Sequence, residues 1–407
     1  MKITDVDIIP IRPRLAERNR RDPVRFAGID QRVVCRVRTD DGLVGYGDHR
    51  GGAPSAASVE PLIGRSPFEF IGNGFDPAVG GALYDVMGKH LGVPAWRLMG
   101  PKVRDAVSVA AWTRQAGPEE FAAEVERAAR QGYLVIKMHT TPVHDVREQV
   151  LAAEEVAPEG FRLHFDLNGS RTLATLLPIV RWLEGHAVVG CIEDPFPKDD
   201  LDSWCRLREQ TGLPLVFHVP PGESRLTALG QGAADAYLIG SGGTSIGDTL
   251  ANGTACARLN TQCLIQLTGG TLTKALGLHM AAVLPTATGH SIHLDDQYED
   301  DITTERIEVA AGCSPVPERP GLGFDVDEEA LERLAANPPA KVPRYLERVH
   351  LPGGRTLYAR SPGDVASATG REEGAIQGLR GETWNDDGSE EFRRVYERVR
   401  RGGPFID

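Results

Sequence analysis

The sequence predicts an α/β protein whose main part is a barrel of eight parallel strands, joined to a smaller N-terminal α+β unit. Three observations favour this fold. The chain has 407 residues, which leaves room for a barrel of roughly 250 residues and a second unit. From residue 106 onward, short apolar runs alternate with helix-like segments. Four of these runs end in residues suited to metal or proton chemistry, which are Lys137, Asp166, Glu193 and His218.

The four run-ending residues recur at a nearly constant interval. They lie 29, 27 and 25 residues apart, which is the length of one strand, one helix and two short connections. A repeat of this length is typical of successive βα units. Since functional residues of a (β/α)8 barrel lie at the carboxyl ends of its strands, we expect the four side chains to meet at that end.

Residues 1–103 are predicted to form the α+β unit. Two segments alternate apolar and polar side chains as strands do, and a third supplies a turn and a return strand; they are Ile3–Ile9, Arg32–Arg38 and Thr39–Gly47. A helix is expected within Gly80–Met99. The arginine-rich segment 12–25, which ends in Arg25, could close over a carboxylate substrate. An ordinary solvated basic loop is the alternative.

Residues 104–320 are predicted to form the barrel. Val107–Trp112 is the first strand, and the runs that end at the four residues named above are the second to fifth. Three further apolar runs complete the count of eight, namely Ala236–Gly240, Gln262–Gln266 and His290–Leu294.

The rest of the chain is predicted to form two segments. Residues 321–358 are expected to return to the N-terminal unit, with a helix at Glu329–Ala336 and a hairpin after Tyr345. Residues 359–407 form an extension whose last helix is capped by Ser389 and has an apolar face. That face is expected to dock on its own barrel or on a second copy.

The composition argues against several classes of function. A formal net charge of −12 disfavours binding to nucleic acid, which requires excess Lys and Arg. No run approaches the roughly 18 apolar residues of a membrane span, and the N-terminus lacks the pattern of a signal peptide. The six cysteines form no CxxC pair, so neither a zinc site nor a disulfide framework is expected. We expect a cytoplasmic protein that binds neither nucleic acid nor membrane.

The strand-end residues suggest a metal-assisted proton transfer. Side chains two apart in a strand share a face, so Lys137 points with His139, and Asp166 with Asn168. The carboxylates of Asp166 and Glu193 would converge and offer hard oxygen ligands to Mg²⁺, which can stabilise an enolate. His139 titrates near neutrality and is the simpler base, while Lys137 would hold charge beside an oxyanion. The alternative is an ion network of the two acids with Lys137.

Four motifs together resemble the mandelate racemase and muconate lactonizing enzyme branch of the enolase superfamily. They are Thr39–Gly47, Gly80–Gly100, Asp166-Leu-Asn168 and Ile192-Glu-Asp-Pro195. The resemblance covers residues 1 to about 350. It implies an α+β capping domain over a modified (β/α)7β barrel of the TIM type, Mg²⁺ on three acids at the ends of strands three to five, and proton abstraction α to a carboxylate. It also implies a small carboxylate substrate and a homo-oligomer. Asn168, beside Asp166, and Arg25, in the arginine-rich segment, are the candidate substrate ligands.

The resemblance also implies roles for individual residues. Asp166 and Glu193 match the first two metal acids. Lys137 and His139 match a Lys-x-Lys element whose second member is often the base, here replaced by histidine.

The chain departs from the family pattern at three strand ends. Strand six, within residues 235–243, lacks at its end the Lys or Asp that family members often carry there. His218 stands where the third acid is expected; it could itself be a metal ligand, and Glu223 is the nearest carboxylate. The end of strand seven, from Gln266, offers no histidine as a base on the opposite face of a substrate. A two-base racemase is therefore not expected.

We therefore expect a metal-dependent lyase or isomerase, and specifically an acid-sugar dehydratase. One alternative is a catalytically degenerate member of the superfamily that serves as a scaffold or binding protein. Another is a barrel isomerase that binds a phosphorylated ligand through the backbone amides of the glycine-rich loops 240–243 and 268–270.

Overall fold

The computed structural model describes residues 1–219, 224–240, 244–370, 372 and 376–407, with backbone alone for 224–226. The N-terminal unit is an antiparallel sheet in the order β1-β2-β3 with helices beside it. Its elements are β1 (Ile3–Ile11), α1 (Glu17–Arg20), β2 (Arg32–Thr39), β3 (Val44–Arg50), α2 (Ala56–Val59) and α3 (Pro77–Leu91). The predicted sheet and helix of this unit are therefore present.

Two glycines allow α3 to lie directly on the sheet. A Cβ atom at Gly45 or Gly47 would collide with the carbonyl oxygens of Ala82 and Ala78 in α3. Because only glycine leaves that space empty, the glycine-rich Thr39–Gly47 segment serves the packing of the helix on the sheet.

Eight parallel strands form the barrel, and each pairs with its neighbours in chain order. They are β4 (Ala106–Thr113), β5 (Val135–His139), β6 (Arg162–Asp166), β7 (Val189–Glu193), β8 (Leu215–His218), β9 (Ala236–Ile239), β10 (Gln262–Ile265) and β11 (Ser291–Ile292). A parallel bridge between Gln266 and Ile292 joins the last two strands. The barrel is thus closed, and the predicted strand count is confirmed.

Helices follow the first seven barrel strands and cover the outside of the barrel. They are α4 (Pro118–Arg130), α5 (Val146–Val156), α6 (Leu173–Leu183), α7 (Leu201–Arg208), α8 (Ser224–Gly230), α9 (Ile246–Arg258) and α10 (Thr271–Val283). After β11 the chain makes a short 3-10 turn and a further strand, β12 (Cys313–Pro315), which pairs antiparallel with β4. This is the predicted (β/α)7β arrangement.

The C-terminal part differs from the prediction. Helix α11 (Glu328–Ala335) does return to the N-terminal unit, since the amide of Arg12 donates to the carbonyl of Leu334 at 3.0 Å. The hairpin after it does not, because it builds a separate antiparallel sheet in the order β15-β13-β14-β16. This extension comprises β13 (Tyr345–Leu351), β14 (Arg355–Ala359), α12 (Pro362–Thr369), β15 (Arg380–Asn385), α13 (Glu390–Gly402) and β16 (Phe405–Ile406).

The last helix packs on its own extension. The hydroxyl of Ser389 accepts the amide of Phe392 at 2.9 Å, as predicted for a cap. Phe392, Val395 and Val399 are buried in one cluster with Leu346 of β13. The apolar face is thus covered by the extension sheet, so it gives no support to the predicted homo-oligomer. No helix in the described part of the chain is long and apolar enough to cross a membrane.

A buried ion cluster joins the N-terminal unit to the barrel. The guanidinium of Arg32 contacts Asp48 and lies 2.8 Å from Asp301, and all three side chains are at most 1% exposed. The two carboxylates also accept hydrogen bonds from backbone amides at the start of α10. These amides belong to Gly270, Thr271 and Thr273. The amides at the end of the 268–270 loop are therefore bound to carboxylates of this chain.

Replacing Arg32 with methionine is expected to destabilise the protein by about 3–5 kcal/mol, because two buried carboxylates lose their cation. Urea unfolding at neutral pH measures the loss. Arg38→Met is the matched control, since the pairs of Arg38 with Asp5 and Asp7 are partly exposed and should contribute less than about 1 kcal/mol. A loss of under about 1 kcal/mol for Arg32→Met would contradict the role given to this cluster.

The same cluster makes stability depend on acid pH. Burial raises the pKa of Asp301, but Arg32 and the amide of Thr271 more than offset this and lower it to about 2. Since this lies below the unfolded value of about 3.9, the stabilisation is complete above about pH 4 and is lost as the pH falls toward 2. Between pH 4 and 2, wild type should lose more stability in urea unfolding than Arg32→Met.

Candidate active site at the C-terminal end of the barrel

The predicted strand-end residues meet inside the barrel. Strands β5 to β8 end at His139, Asp166, Glu193 and His218. In the sheet, Asp166 lies beside His139 on one side and Glu193 on the other. Lys137 is paired with Trp112 of β4, whose side chain belongs to the apolar cluster inside the barrel. Lys137, and the strand residues that alternate on the same face as Lys137, therefore point toward the barrel axis.

The ammonium of Lys137 lies between the two carboxylates. Its Nζ atom is 3.2 Å from Asp166 Oδ2 and 2.7 Å from Glu193 Oε2, and it donates to Gln266 Oε1 at 3.1 Å. Burial opposes a charged lysine, but the charges of Glu193 and Asp166 outweigh it and raise the pKa of Lys137 above its usual value. The two acids thus converge, and Lys137 balances part of their charge.

His139 lies at the edge of this cluster and reaches the barrel mouth. Its Nδ1 atom is 3.2 Å from Asp166 Oδ2 and 2.9 Å from Asn168 Oδ1, and its side chain is 33% exposed. Burial, together with the charge of Lys137, lowers the pKa of His139 below its usual value despite the opposing effect of Asp166. A neutral imidazole at pH 7 is able to accept a proton.

Asn168 follows β6 in a left-handed conformation with φ of 54°. Its backbone amide donates a hydrogen bond to Asp166 Oδ1 at 2.9 Å, and its side-chain nitrogen donates one to the backbone carbonyl of Thr140 at 3.2 Å. These contacts fix the side-chain oxygen that meets His139. Asn168 thereby orients the imidazole, and its predicted contact with substrate stays a prediction.

His218 and Asp194 complete the acid cluster. Glu193, Asp194 and His218 each offer one ligand atom, and these atoms lie within 4.8 Å of one another. Asp194 has a φ of 48° and accepts the amide of His218 at 3.0 Å. Burial and the charge of Glu193 raise the pKa of Asp194 to about 6. The alternative third acid, Glu223, lies outside the described residues.

Sequence reasoning missed Asp194 as a site residue. In a regular strand, the residue after Glu193 points away from the barrel interior. The left-handed backbone at Asp194 ends that alternation directly after β7. The one available signal was its place next to Glu193 in the Ile192-Glu-Asp-Pro195 motif.

Two imidazoles, those of His164 and His290, lie next to the acids and deeper in the barrel. His164 Nε2 is 2.8 Å from Glu193 Oε2, and His164 Nδ1 is 2.7 Å from His290 Nε2. Burial opposes a charged His164, but Cys191 and Glu193 more than offset it and raise its pKa to about 9. Glu193 is therefore held between two cations, Lys137 above and His164 below, and its pKa is well below the usual value.

The side chains of the cluster are suitable ligands for a divalent cation. Three carboxylates and one imidazole are ligands that Mg²⁺, Mn²⁺ or a related metal accepts. Residues able to hold such an ion are Asp166, Glu193, Asp194 and His218. Lys137 already contacts oxygens of the first two, so a metal and the ammonium would compete for them.

Arg25, the other candidate substrate ligand, is paired with a carboxylate of this chain. Its guanidinium is 2.6 Å from Glu120 Oε2 and packs over the ring of Phe26. The other arginines of the 12–25 segment are also largely paired, for example Arg18 with Asp296 at 3.1 Å. Ion pairs therefore tie this segment to the barrel rim.

Comparison with known proteins places the chain in a family. Residues 120–330, just over half of the chain, match the family model described as enolase C-terminal domain-like. The chain belongs to the enolase superfamily, in its mandelate racemase and muconate lactonizing enzyme branch. The resemblance found in the sequence and the barrel fold of this superfamily are both confirmed.

Relatives in the enolase superfamily cover most of the chain. An N-succinyl-L-Arg/Lys racemase of Bacillus cereus is 26% identical over 334 residues, which cover 74% of this chain and 89% of the racemase. An arabinonate dehydratase of Saccharolobus solfataricus is 25% identical over 357 residues, covering 77% of this chain and 94% of the dehydratase. An enolase from Pseudomonas fluorescens, solved with bound magnesium, potassium and tartrate, has a TM-score of 0.68 at 21% identity and covers 82% of this chain and 92% of its own.

Proposed function

We propose that this protein is a divalent-metal-dependent enzyme that removes the proton α to a carboxylate, and that it dehydrates an acid sugar. One observation carries the proposal. Two inward-facing carboxylates, Asp166 and Glu193, converge within 3.2 Å of Lys137 at the C-terminal end of the barrel, with the imidazole of His139 beside them. A metal ligand set and a base therefore face the same space.

The residues divide into three roles. Asp166 and Glu193, with His218 or Asp194, would hold the metal, which when bound supplies positive charge that stabilises an enolate. His139 would accept the α-proton, because it is neutral at pH 7, reaches the mouth and is oriented by Asn168. Lys137 would place its charge beside the developing oxyanion.

A single base favours dehydration over racemisation. A two-base racemase needs proton acceptors on both faces of the substrate carbon. Across the barrel from β5, the end of β10 presents Gln266, whose amide oxygen accepts a hydrogen bond from Lys137. A glutamine amide does not take up a proton. The arabinonate dehydratase relative supports the same choice. Where Asp194 is the third metal ligand, His218, with its side chain 25% exposed, is the candidate acid for the departing hydroxyl.

Solvent exchange tests the proposal. The full-length protein with Mg²⁺ should incorporate deuterium from D₂O at the α-carbon of at least one acid in a panel of sugar acids. Mass spectrometry should also show loss of water to a 2-keto-3-deoxy acid. Exchange with inversion and no loss of water would favour a racemase. A metal-bound protein that exchanges no acid of the panel would favour the degenerate scaffold.

A further inference from the structure

A cavity lies where the C-terminal extension meets the barrel. Its volume is about 570 Å³, within the range of small-ligand sites. It is lined by the N-terminal segment 21–25, by the loop after β4 and the start of α4, by the loop after β5, and by β13, β15 and the start of α12 in the extension. The extension lies beyond residues 120–330, so this cavity is built partly by a segment outside the family match.

Arg114 brings the cavity close to the catalytic cluster. In β4, Ala110 and Trp112 face the barrel interior, and the ring of Trp112 lies 5.9 Å from that of His139. Arg114 is the next residue in this phase, immediately after the end of β4 at Thr113. Arg114 therefore lies on the barrel wall between His139, the candidate base, and the cavity, which Arg114 lines.

Arg114 lacks a carboxylate partner. Within the described part of the chain its guanidinium makes no hydrogen bond or ion pair, although the residue is half-buried. Burial and the charges of Arg50 and Arg25 lower its pKa. The other two arginines of the cavity are paired, Arg25 with Glu120 and Arg21 with Glu17. A half-buried guanidinium without a partner is unfavourable until an anion binds to it.

Glu347 of β13 is a further polar group of the cavity whose side chain makes no hydrogen bond or ion pair within the described residues. Its exposed fraction is 6%. Burial and the charge of Asp22 raise its pKa to about 7. Its titratable neighbours are Asp22 of the N-terminal segment and Tyr345 of its own strand, with Glu382 of β15 and His144 after β5 along the cavity. Below pH 7 the neutral acid can donate a hydrogen bond to a ligand oxygen.

We propose that this cavity binds the distal end of the substrate, with Arg114 pairing with an anionic group and Glu347 bonding to another ligand oxygen in the same cavity. The substrate is then a hydroxy acid that carries a second anionic group, such as a second carboxylate. This rests on the proposed function for the chemistry at the first carboxylate. Binding in the cavity itself needs no metal, so it is measurable separately.

Calorimetric titration of the metal-free full-length protein with succinate, a dicarboxylate, tests the proposal. Arg114→Ala should weaken succinate binding by at least about tenfold, and Arg114→Lys should recover part of it because the charge remains. Arg21→Ala is the matched control in the same cavity; since Arg21 is 75% exposed and paired with Glu17, binding should stay within about twofold. Equal losses in Arg114→Ala and Arg21→Ala, or no binding to wild type, would overturn the proposal.

The pH dependence separates binding from a structural role of Glu347. As the pH rises from 6 to 8, Glu347 becomes charged and should weaken succinate binding several-fold, while Glu347→Gln should remove this dependence. His144, whose pKa burial and Arg25 lower to about 4, does not change charge in this interval. An unaltered pH dependence in Glu347→Gln would overturn the role of Glu347.

The result also distinguishes the two proposals. Mg²⁺ binding at the acid cluster without succinate binding in the cavity overturns the cavity assignment and leaves the proposed function standing. Succinate binding that depends on Arg114, without any Mg²⁺ binding, supports the cavity and overturns the proposed function.

Discussion

Replacing His139 with alanine is expected to slow α-proton exchange by about 10²–10⁴-fold, which is the usual effect of removing a general base. The imidazole is the neutral group that reaches the barrel mouth, and Asp166 and Asn168 hold its Nδ1 atom. Deuterium incorporation into an accepted sugar acid, followed by NMR at saturating Mg²⁺, measures the change.

A surface histidine provides the control for this variant. His350 lies in the extension and is 52% exposed, so His350→Ala should exchange at the wild-type rate. A His139→Ala enzyme that keeps more than about a tenth of wild-type exchange would assign the proton abstraction to another group. Lys137 is then the next candidate.

Replacing Glu193 with glutamine is expected to have two effects. The variant should lose metal binding, and the metal-free protein should lose about 3–5 kcal/mol of stability. The second loss arises because Lys137 Nζ and His164 Nε2, both fully buried, lie 2.7 Å and 2.8 Å from the Glu193 carboxylate. Without that charge, two buried cations lose their shared anion. Urea unfolding with EDTA measures the stability, and Mg²⁺ titration measures the binding.

Glu154→Gln is the matched control for Glu193→Gln. Glu154 pairs with His186 at the surface of the barrel, with 35% of its side chain exposed, and its loss should change stability by less than about 1 kcal/mol. If Glu193→Gln unfolds within about 1 kcal/mol of wild type, the buried network does not stabilise the barrel as described here.

Much of the barrel and of the cluster could be predicted because each rests on a short-range rule. The alternation of side chains in strands places Asp166 and Glu193 on the same face, and the near-constant spacing of the apolar runs predicts which strands are neighbours. These rules need no knowledge of distant contacts. The same alternation places Lys137 on this face, so the sequence favoured a metal site but left an ion network of Lys137 with the two acids as the alternative.

The parts that could not be predicted depend on local backbone exceptions or on long-range choices. Asp194 joins the cluster through a left-handed conformation, which alternation does not reveal. The hairpin of β13 and β14 was expected on the N-terminal unit, but both edges of β13 are taken by β14 and β15. The face of α13 was clearly apolar, yet only the folded sheet shows that Leu346 and its neighbours cover it.

Calorimetric titration of the full-length protein with Mg²⁺ measures whether the acid cluster binds a metal. We expect one site in wild type and binding at least about tenfold weaker in Asp166→Asn, which removes a ligand charge. Asp199→Asn, at an exposed aspartate after β7, should bind as wild type does. An absence of binding for both Mg²⁺ and Mn²⁺ in wild type, or unchanged binding in Asp166→Asn, would show that Asp166 and Glu193 do not form a metal site.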